Sequence, residues 1–332
     1  MKKEILLPVL LLSFMMMMAC GRKAKNSENA NTMTSGYIKI AVDQTVQNVI
    51  HNEIEVFQNL YPVKIEPIYT SEQEAIELLK KDSVRLAITA RKLSQAELSY
   101  FHEKTFQPEM IRIAIDGVAI ITHPSNKDSV ISVKDMKRIL TGEVKQWNQI
   151  YPNSKLGKIQ VVFDNTNSSI VRYANDSICR DKPLSRDLSA LELNEQVVEH
   201  VAKVPNALGL IGVNHISDMN DSLVVDFTSK IRVMKVSYDD NANADNSVQP
   251  LQYYLYNAEY PFRREIFILL NDPRGELPKG FTRFIVGDKG QRIIKRTGLL
   301  PSTMPIQAVK IVNKTQNLKQ TEDLVQNLGN IH

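Results

Sequence analysis

The chain has 332 residues, 43% hydrophobic and 23% charged, with 13 glycines and 14 prolines; this balance excludes disordered, collagen-like and disulfide-stapled classes. Its length favours two lobes, because single cores stop growing before about 250–300 residues. The 41 basic and 37 acidic residues leave a net charge of +4, too small and dispersed for a nucleic-acid track.

In chain order, Lys2-Lys3 is followed by an apolar run from Ile5 to Met18 and then by Ala19-Cys20-Gly21. A basic start, an apolar run too short for a comfortable membrane span and a small residue before the cysteine predict an export signal over 1–19. The Ala-Cys-Gly step resembles the lipobox of bacterial lipoproteins, which implies cleavage before Cys20, lipidation of its thiol and a periplasmic, membrane-anchored protein. Cys179 then has no intramolecular partner and reads as a buried small hydrophobe. Residues 20–36 have the composition of a solvated tether.

The body alternates strands and helices. Tyr37 to Val42 alternates with period two, and Val46, Val49, Ile50, Ile54, Phe57 and Leu60 recur at helical spacing. Val63 to Tyr69 predicts a second strand, Glu72 to Lys81 a helix, and Val84 to Thr89 a third strand. A helix follows from Ser94, with Glu97 placed to complete a capping box. This order argues for an α/β fold whose mixed sheets are mostly parallel. Met110 to Ile115 reads as a crossover strand, and Gly117 to Thr122 opens a second α/β lobe. That lobe carries a capped helix from Ser132 to Thr141-Gly142, a strand over Ile159 to Phe163 and helices over Ser168 to Ile178 and Asn194 to Val204. A glycine-bearing strand follows at Leu208 to Ile211, then a polar loop from Asp239 to Asn246. Glu265 to Leu270 predicts a strand and Lys279 to Lys295 one helix. Residues 37–116 with 258–310 are read as lobe 1, 117–257 as lobe 2 and 311–332 as a polar tail.

The six histidines stand in no His-Glu-x-x-His or Cys-x-x-Cys setting, so neither metal nor cofactor is expected, and no nucleophile turn or phosphate loop is present. An enzyme is the weaker class. Polar residues do collect where strands end: Asp43 and Thr45 after the first strand, Thr70-Ser71 after the second, Thr89 and Arg91 after the third, and Asn165, Asn167, Ser168 and Ser169 before a helix. Ligands of open α/β sheets bind beyond strand carboxyl ends, where helix N-termini and hydroxyls hold anion oxygens. Each residue alone is equally an ordinary helix cap. Asp116 reads as a hinge or turn residue, and Trp147 and Tyr260-Pro261 as packing and lobe contact.

Several segments together resemble the periplasmic phosphate-binding proteins of bacterial ABC importers. They are Asp116 to Ile121, Leu140 to Trp147, Pro205 to Gly212, Tyr260-Pro261-Phe262-Arg263-Arg264 and Gly287 to Pro301, which fall in the family's order. The resemblance implies a two-lobe periplasmic-binding-protein fold of type II-like form with two crossovers. It also implies a monomer that binds phosphate or a related oxyanion without catalysis and passes it to a membrane permease. The binding loops depart from the family pattern. Asp164 stands near the usual arginine, Asn167-Ser168-Ser169-Ile170 replaces Gly-Ser-Gly-Thr, Asp43-Gln44-Thr45 replaces a Gly-Ser-rich stretch, and Thr70-Ser71 stands for a Gly-Ser-Gly turn. Arg91 matches a Ser-Arg pair and is the cationic candidate. A carboxylate from Asp43 or Asp164 would accept the proton of hydrogen phosphate and repel sulfate. The altered loops keep a second expectation open, a binding-fold lipoprotein acting as a sensor or interaction module.

Overall fold

The computed structural model describes residues 31–217 and 229–303. The expected export signal over 1–19, Cys20 and the tail over 311–332 lie outside the described residues. The end of the expected tether is bound to the body: the Asn31 side chain accepts from the Tyr37 N–H at 2.8 Å and donates to the Tyr37 carbonyl at 3.0 Å.

The first lobe opens with β1 (Gly36–Asp43), a single 3-10 turn and α1 (Gln47–Leu60), which turns Val49, Ile50, Ile54 and Phe57 inward. Then follow β2 (Val63–Thr70), α2 (Glu72–Lys80), β3 (Leu86–Thr89) and α3 (Gln95–Glu103). The capping box on α3 is present: Ser94 accepts from the Glu97 N–H, and Glu97 accepts from the Ser94 N–H. Strand β1 pairs parallel with β2 and β3, the pairing that β-α-β crossovers produce.

β4 (Glu109–Thr122) is one continuous strand through Asp116 and Gly117, where the sequence predicts two successive segments. The close approach of Pro250 and Leu255 to the strand needs the glycine, since a Cβ there would lie 2.9 Å from Pro250 and 3.2 Å from Leu255. Beyond it come β5 (Val130–Ser132), α4 (Val133–Leu140), β6 (Gln160–Phe163) and α5 (Ser169–Tyr173), which runs into a π turn over Ala174–Cys179. Gly142, at φ +79°, follows the end of α4 as expected. Next are β7 (Ser189–Ala190), α6 (Asn194–Lys203), β8 (Ala207–Gly212) and the short α7 (Asn214–Ser217). The chain continues with β9 (Arg232–Val233), β10 (Lys235–Ser237) and α8 (Gln252–Tyr256).

β11 (Arg263–Leu270) returns to the first lobe and inserts antiparallel between β3 and β4. α9 (Leu277–Val286), α10 (Asp288–Arg296) and β12 (Leu300–Pro301) complete the described chain. The single helix expected over Lys279 to Lys295 is therefore two. Gly287 is extended, at φ −76° and ψ 171°, and its N–H ends α9 on the Arg283 and Phe284 carbonyls.

The strand order β2-β1-β3-β11-β4-β8-β6-β7 joins two mixed sheets through β4. Residues 109–117 of β4 pair with β11, and residues 118–122 pair with β8. The fold is thus a two-lobed α/β architecture, and we propose the lobe boundaries of the sequence reading, with one exchange at Asp116–Gly117 and the second near residue 258. One apolar core fills the second lobe around Trp147, Ile170 and Leu210, with Cys179 buried in it. Another runs from β1 and α1 to α6 and β8 across the junction. Among the described residues no helix is long and apolar enough to cross a membrane.

Candidate functional site

The carboxyl ends of β1 and β3, the start of α5 and the Asp116–Arg264 end of the β4–β11 pairing meet between the lobes. At the centre is Arg264, whose side chain is 1% exposed. Its Nε donates to Asp116 Oδ2 at 2.8 Å, and Nη2 stands 2.7 Å from the same oxygen. Nη1 donates to Ser169 Oγ at 2.6 Å and Nη2 to Thr45 Oγ1 at 3.1 Å. The two hydroxyls, one from each lobe, are 3.0 Å apart. A guanidinium fork thus gathers a carboxylate and two hydroxyls in a dry setting, where charged hydrogen bonds are strong.

Two further carboxylates face this centre without a counter-charge of their own. Asp43 accepts from the Thr45 N–H at 3.0 Å through Oδ1, while its Oδ2 has no hydrogen-bond partner among the described residues. Asp164 is also buried, and its Oδ1 has no hydrogen-bond partner among the described residues. Burial pushes both carboxyls above their ordinary value; the Arg264 charge opposes this at Asp43, and the Ser168 hydroxyl does so at Asp164.

The Thr45 loop is fixed from below. Asn214 Nδ2 and His215 Nε2 both reach the Thr45 carbonyl, at 3.1 and 2.9 Å. A carbonyl can only accept, so the His215 proton sits on Nε2 and Nδ1 faces the Asn48 amide at 3.4 Å. Burial pulls the His215 pKa down to about 4, which keeps the ring neutral near pH 7.

At the cleft's rim a second group of charges spans the lobes. Glu72, at the first position of α2, is 3% exposed. Its Oε1 meets Arg172 Nε at 2.5 Å and Arg91 Nε at 3.2 Å, and its Oε2 accepts from the Ala90 N–H at 2.9 Å. Arg172 also donates to the Ala90 carbonyl at 3.1 Å. Arg91 forms a two-point pair with Glu97, at 2.7 and 2.8 Å. Although burial opposes it, this pairing together with the Ser94 contacts brings Glu97 down to about 2.

Of the residues the sequence singles out, Asp43, Thr45, Ser168 and Ser169 converge at the cleft. Ser168 is spent as the cap of α5, accepting from the Val171 N–H at 3.2 Å. Thr70 ends β2 opposite Asp43, and Ser71 caps α2. Thr89 donates to the Arg91 carbonyl at 2.8 Å and so shapes its turn. Asn165 accepts from the Asn167 N–H in a local turn, with Asn167 exposed. Asp116, expected as a hinge or turn residue, lies in no turn: it is the buried partner of Arg264 inside a continuous strand, at the point where β4 passes from β11 to β8.

Arg264, Arg172 and Glu72 are functional candidates that the sequence reading missed. Arg264 carries a signal: it shares its face of β11 with Ile266 and Ile268, so alternation alone places a charge in the core. Among the described residues no group of three or more His, Cys, Asp or Glu is placed to hold a metal ion.

A two-lobed α/β chain with polar loops meeting in the interlobe cleft has the architecture of a solute-binding protein. Residues 27–289 match the family model described as a PBP superfamily domain, and the chain belongs to that family. It is 22% identical over 307 residues to the phosphate-binding protein PstS of Borreliella burgdorferi, covering 88% of this chain and 98% of that protein. A phosphate ABC transporter substrate-binding protein of Clostridium perfringens, solved with phosphate bound, matches with a TM-score of 0.67 at 21% identity, over 80% of this chain and 99% of that one. An ABC-type phosphate transport receptor from Vibrio cholerae matches with a TM-score of 0.62 at 19% identity, over 80% and 100% of the two chains.

Proposed function

We propose that this protein is an exported, lipid-anchored solute-binding protein that captures an inorganic oxyanion, phosphate first among candidates, between its lobes and delivers it to an ABC importer. The observation that carries the reading is the meeting of Thr45 from one lobe and Ser169 from the other on the Arg264 fork. Hydroxyls of both lobes can hold an oxyanion only when the lobes close on it, which couples capture to hinge motion. The matched relatives named for phosphate support the choice of ligand. So do Asp43 and Asp164, whose unpartnered oxygens can accept the O–H of a protonated phosphate, whereas sulfate brings no proton at neutral pH. In this reading residues 1–19 export the chain, Cys20 carries the lipid, and the protein works as a monomer without catalysis.

One observation favours the second reading, a sensor or interaction module. Arg264 is paired with Asp116, and Arg91 with Glu97 and Glu72, so these guanidiniums arrive at the cleft already matched by carboxylates. Calorimetric titration of the purified protein with phosphate and then sulfate separates the two. Phosphate binding that Thr45→Val and Ser169→Ala weaken at least tenfold, with sulfate rejected, is the expected result. No heat with either anion at millimolar concentration would put the sensor reading first.

A further inference from the structure

The Glu72 contacts have the form of an occupied anion site. Three donors converge on one carboxylate: the Ala90 N–H, Arg91 Nε and Arg172 Nε. They come from both sides of the cleft, the first two from the turn after β3 and the third from α5, one helical turn beyond Ser168. All three are obligate donors and favour the ionised form, against burial, which pushes the Glu72 carboxyl above its ordinary value. The same guanidinium fork that takes a carboxylate takes a tetrahedral oxyanion, because both offer two oxygens to parallel N–H groups. We propose that the Glu72 carboxylate is an internal anion seated in an oxyanion cradle built by Ala90, Arg91 and Arg172, and that a free oxyanion binds there by displacing it.

Charge counting at the cleft leads to the same place. Arg264 is matched by Asp116, Arg91 is matched by Glu97 and shares Glu72 with Arg172, and Asp43 and Asp164 are buried with no ion-pair partner of their own among the described residues. An added anion would meet an excess of negative charge unless one carboxylate left. Glu72 is the one able to leave. It sits at the N-terminal end of its helix, and its partners reach the surface, with the Arg91 and Arg172 side chains 20% and 27% exposed. Asp116, by contrast, is fully buried inside a strand. The inference deepens the oxyanion reading and rests on it: Glu72 sets how much anion the cleft takes, and its bond to Arg172 closes the lobes when no ligand is present.

The test is calorimetric titration with inorganic phosphate and with sulfate of the wild type, Glu72→Gln, Glu72→Ala and the double variant Glu72→Ala/Arg172→Ala, each first checked for a cooperative thermal transition. Phosphate binding at least tenfold tighter in Glu72→Ala than in the wild type is expected, with a gain also in Glu72→Gln and none in the double variant. Glu72→Gln keeps the side-chain volume and decides the matter if the alanine variant does not fold. Wild-type binding with no gain in either single variant, or a gain that survives loss of Arg172, would overturn the inference and leave the oxyanion reading standing. Folded variants and wild type that all fail to bind either anion would overturn both. Binding by the variants alone supports the inference and shows the wild type to be held shut by its own carboxylate.

Discussion

Arg264 and Arg172 each meet a carboxylate and each reach from one lobe toward the other, yet their surroundings differ. Arg264 and Asp116 have side chains 1% and 0% exposed, and the guanidinium spends its remaining donors on Thr45 and Ser169. Arg172 is 27% exposed, and its partner Glu72 is shared with Arg91 and the Ala90 N–H. Desolvation separates them. A fully buried pair cannot release one member without stranding the other charge in the core, whereas a pair at a solvent-reaching rim can trade partners. The inner arginine is therefore the fixed floor of the cleft and the outer one its exchangeable wall.

The comparison breaks first at Arg264. Arg264→Ala should lower stability by about 3–5 kcal/mol, because Asp116 is left buried and unpaired, and urea denaturation measures it. Arg264→Lys should rescue little, since an ammonium cannot span Asp116 and both hydroxyls. If both variants unfold at the wild-type midpoint, the inner pair is not the floor.

A carboxylate with no guanidinium at all sharpens the same contrast. Glu53 on α1 is fully buried, neither of its oxygens has a hydrogen-bond partner among the described residues, and burial pushes its pKa up to about 9. A raised acid costs nothing below its unfolded value, and its penalty grows as pH rises from there toward the folded value. Glu53→Gln should then stabilise the protein at pH 8, on the order of a few kcal/mol, and by little at pH 4. Urea midpoints at the two pH values measure this, and equal gains at both would contradict the buried-acid account.

Glu97 works in the opposite sense, being held down at about 2. Its stabilisation is present above the unfolded carboxyl value and is lost as pH falls through that value toward 2. Glu97→Gln should cost about 1–2 kcal/mol at pH 7, and the cost should fade toward pH 2 in thermal unfolding. At the small end, Arg112 and Glu265 are a pair with side chains 45% and 43% exposed. Arg112→Ala should change stability by about 0.5 kcal/mol or less.

The local pattern of the chain already contained much of this fold. Period-two alternation located β1, short β-rich runs located β2 and β3, the Ser94 and Ser132 caps marked helix starts, and Gly142 marked a helix end. The insertion of β11 between β3 and β4 was hidden because antiparallel pairing across some 150 residues leaves no local trace. The break at Gly287 was hidden because the apolar positions on either side keep helical spacing. In the site, Asp43, Thr45, Ser168 and Ser169 were legible as polar residues at the edges of strands and helices. Thr70, Ser71, Asn165 and Asn167 gave the same signal and are strand-end, cap and turn residues. Arg172 and Glu72 were illegible for a different reason: an acid in a first turn and an arginine in a last turn suit any helix, and their meeting depends on how the lobes close.

The central claim is that the interlobe cluster is an oxyanion site. Equilibrium dialysis of the purified protein against radiolabelled phosphate, with and without excess sulfate, tests it most directly. The account predicts one phosphate retained per chain, undiminished by sulfate and held at least tenfold more weakly in Ser169→Ala. No retention at millimolar phosphate, by the wild type or by Glu72→Ala, would contradict it.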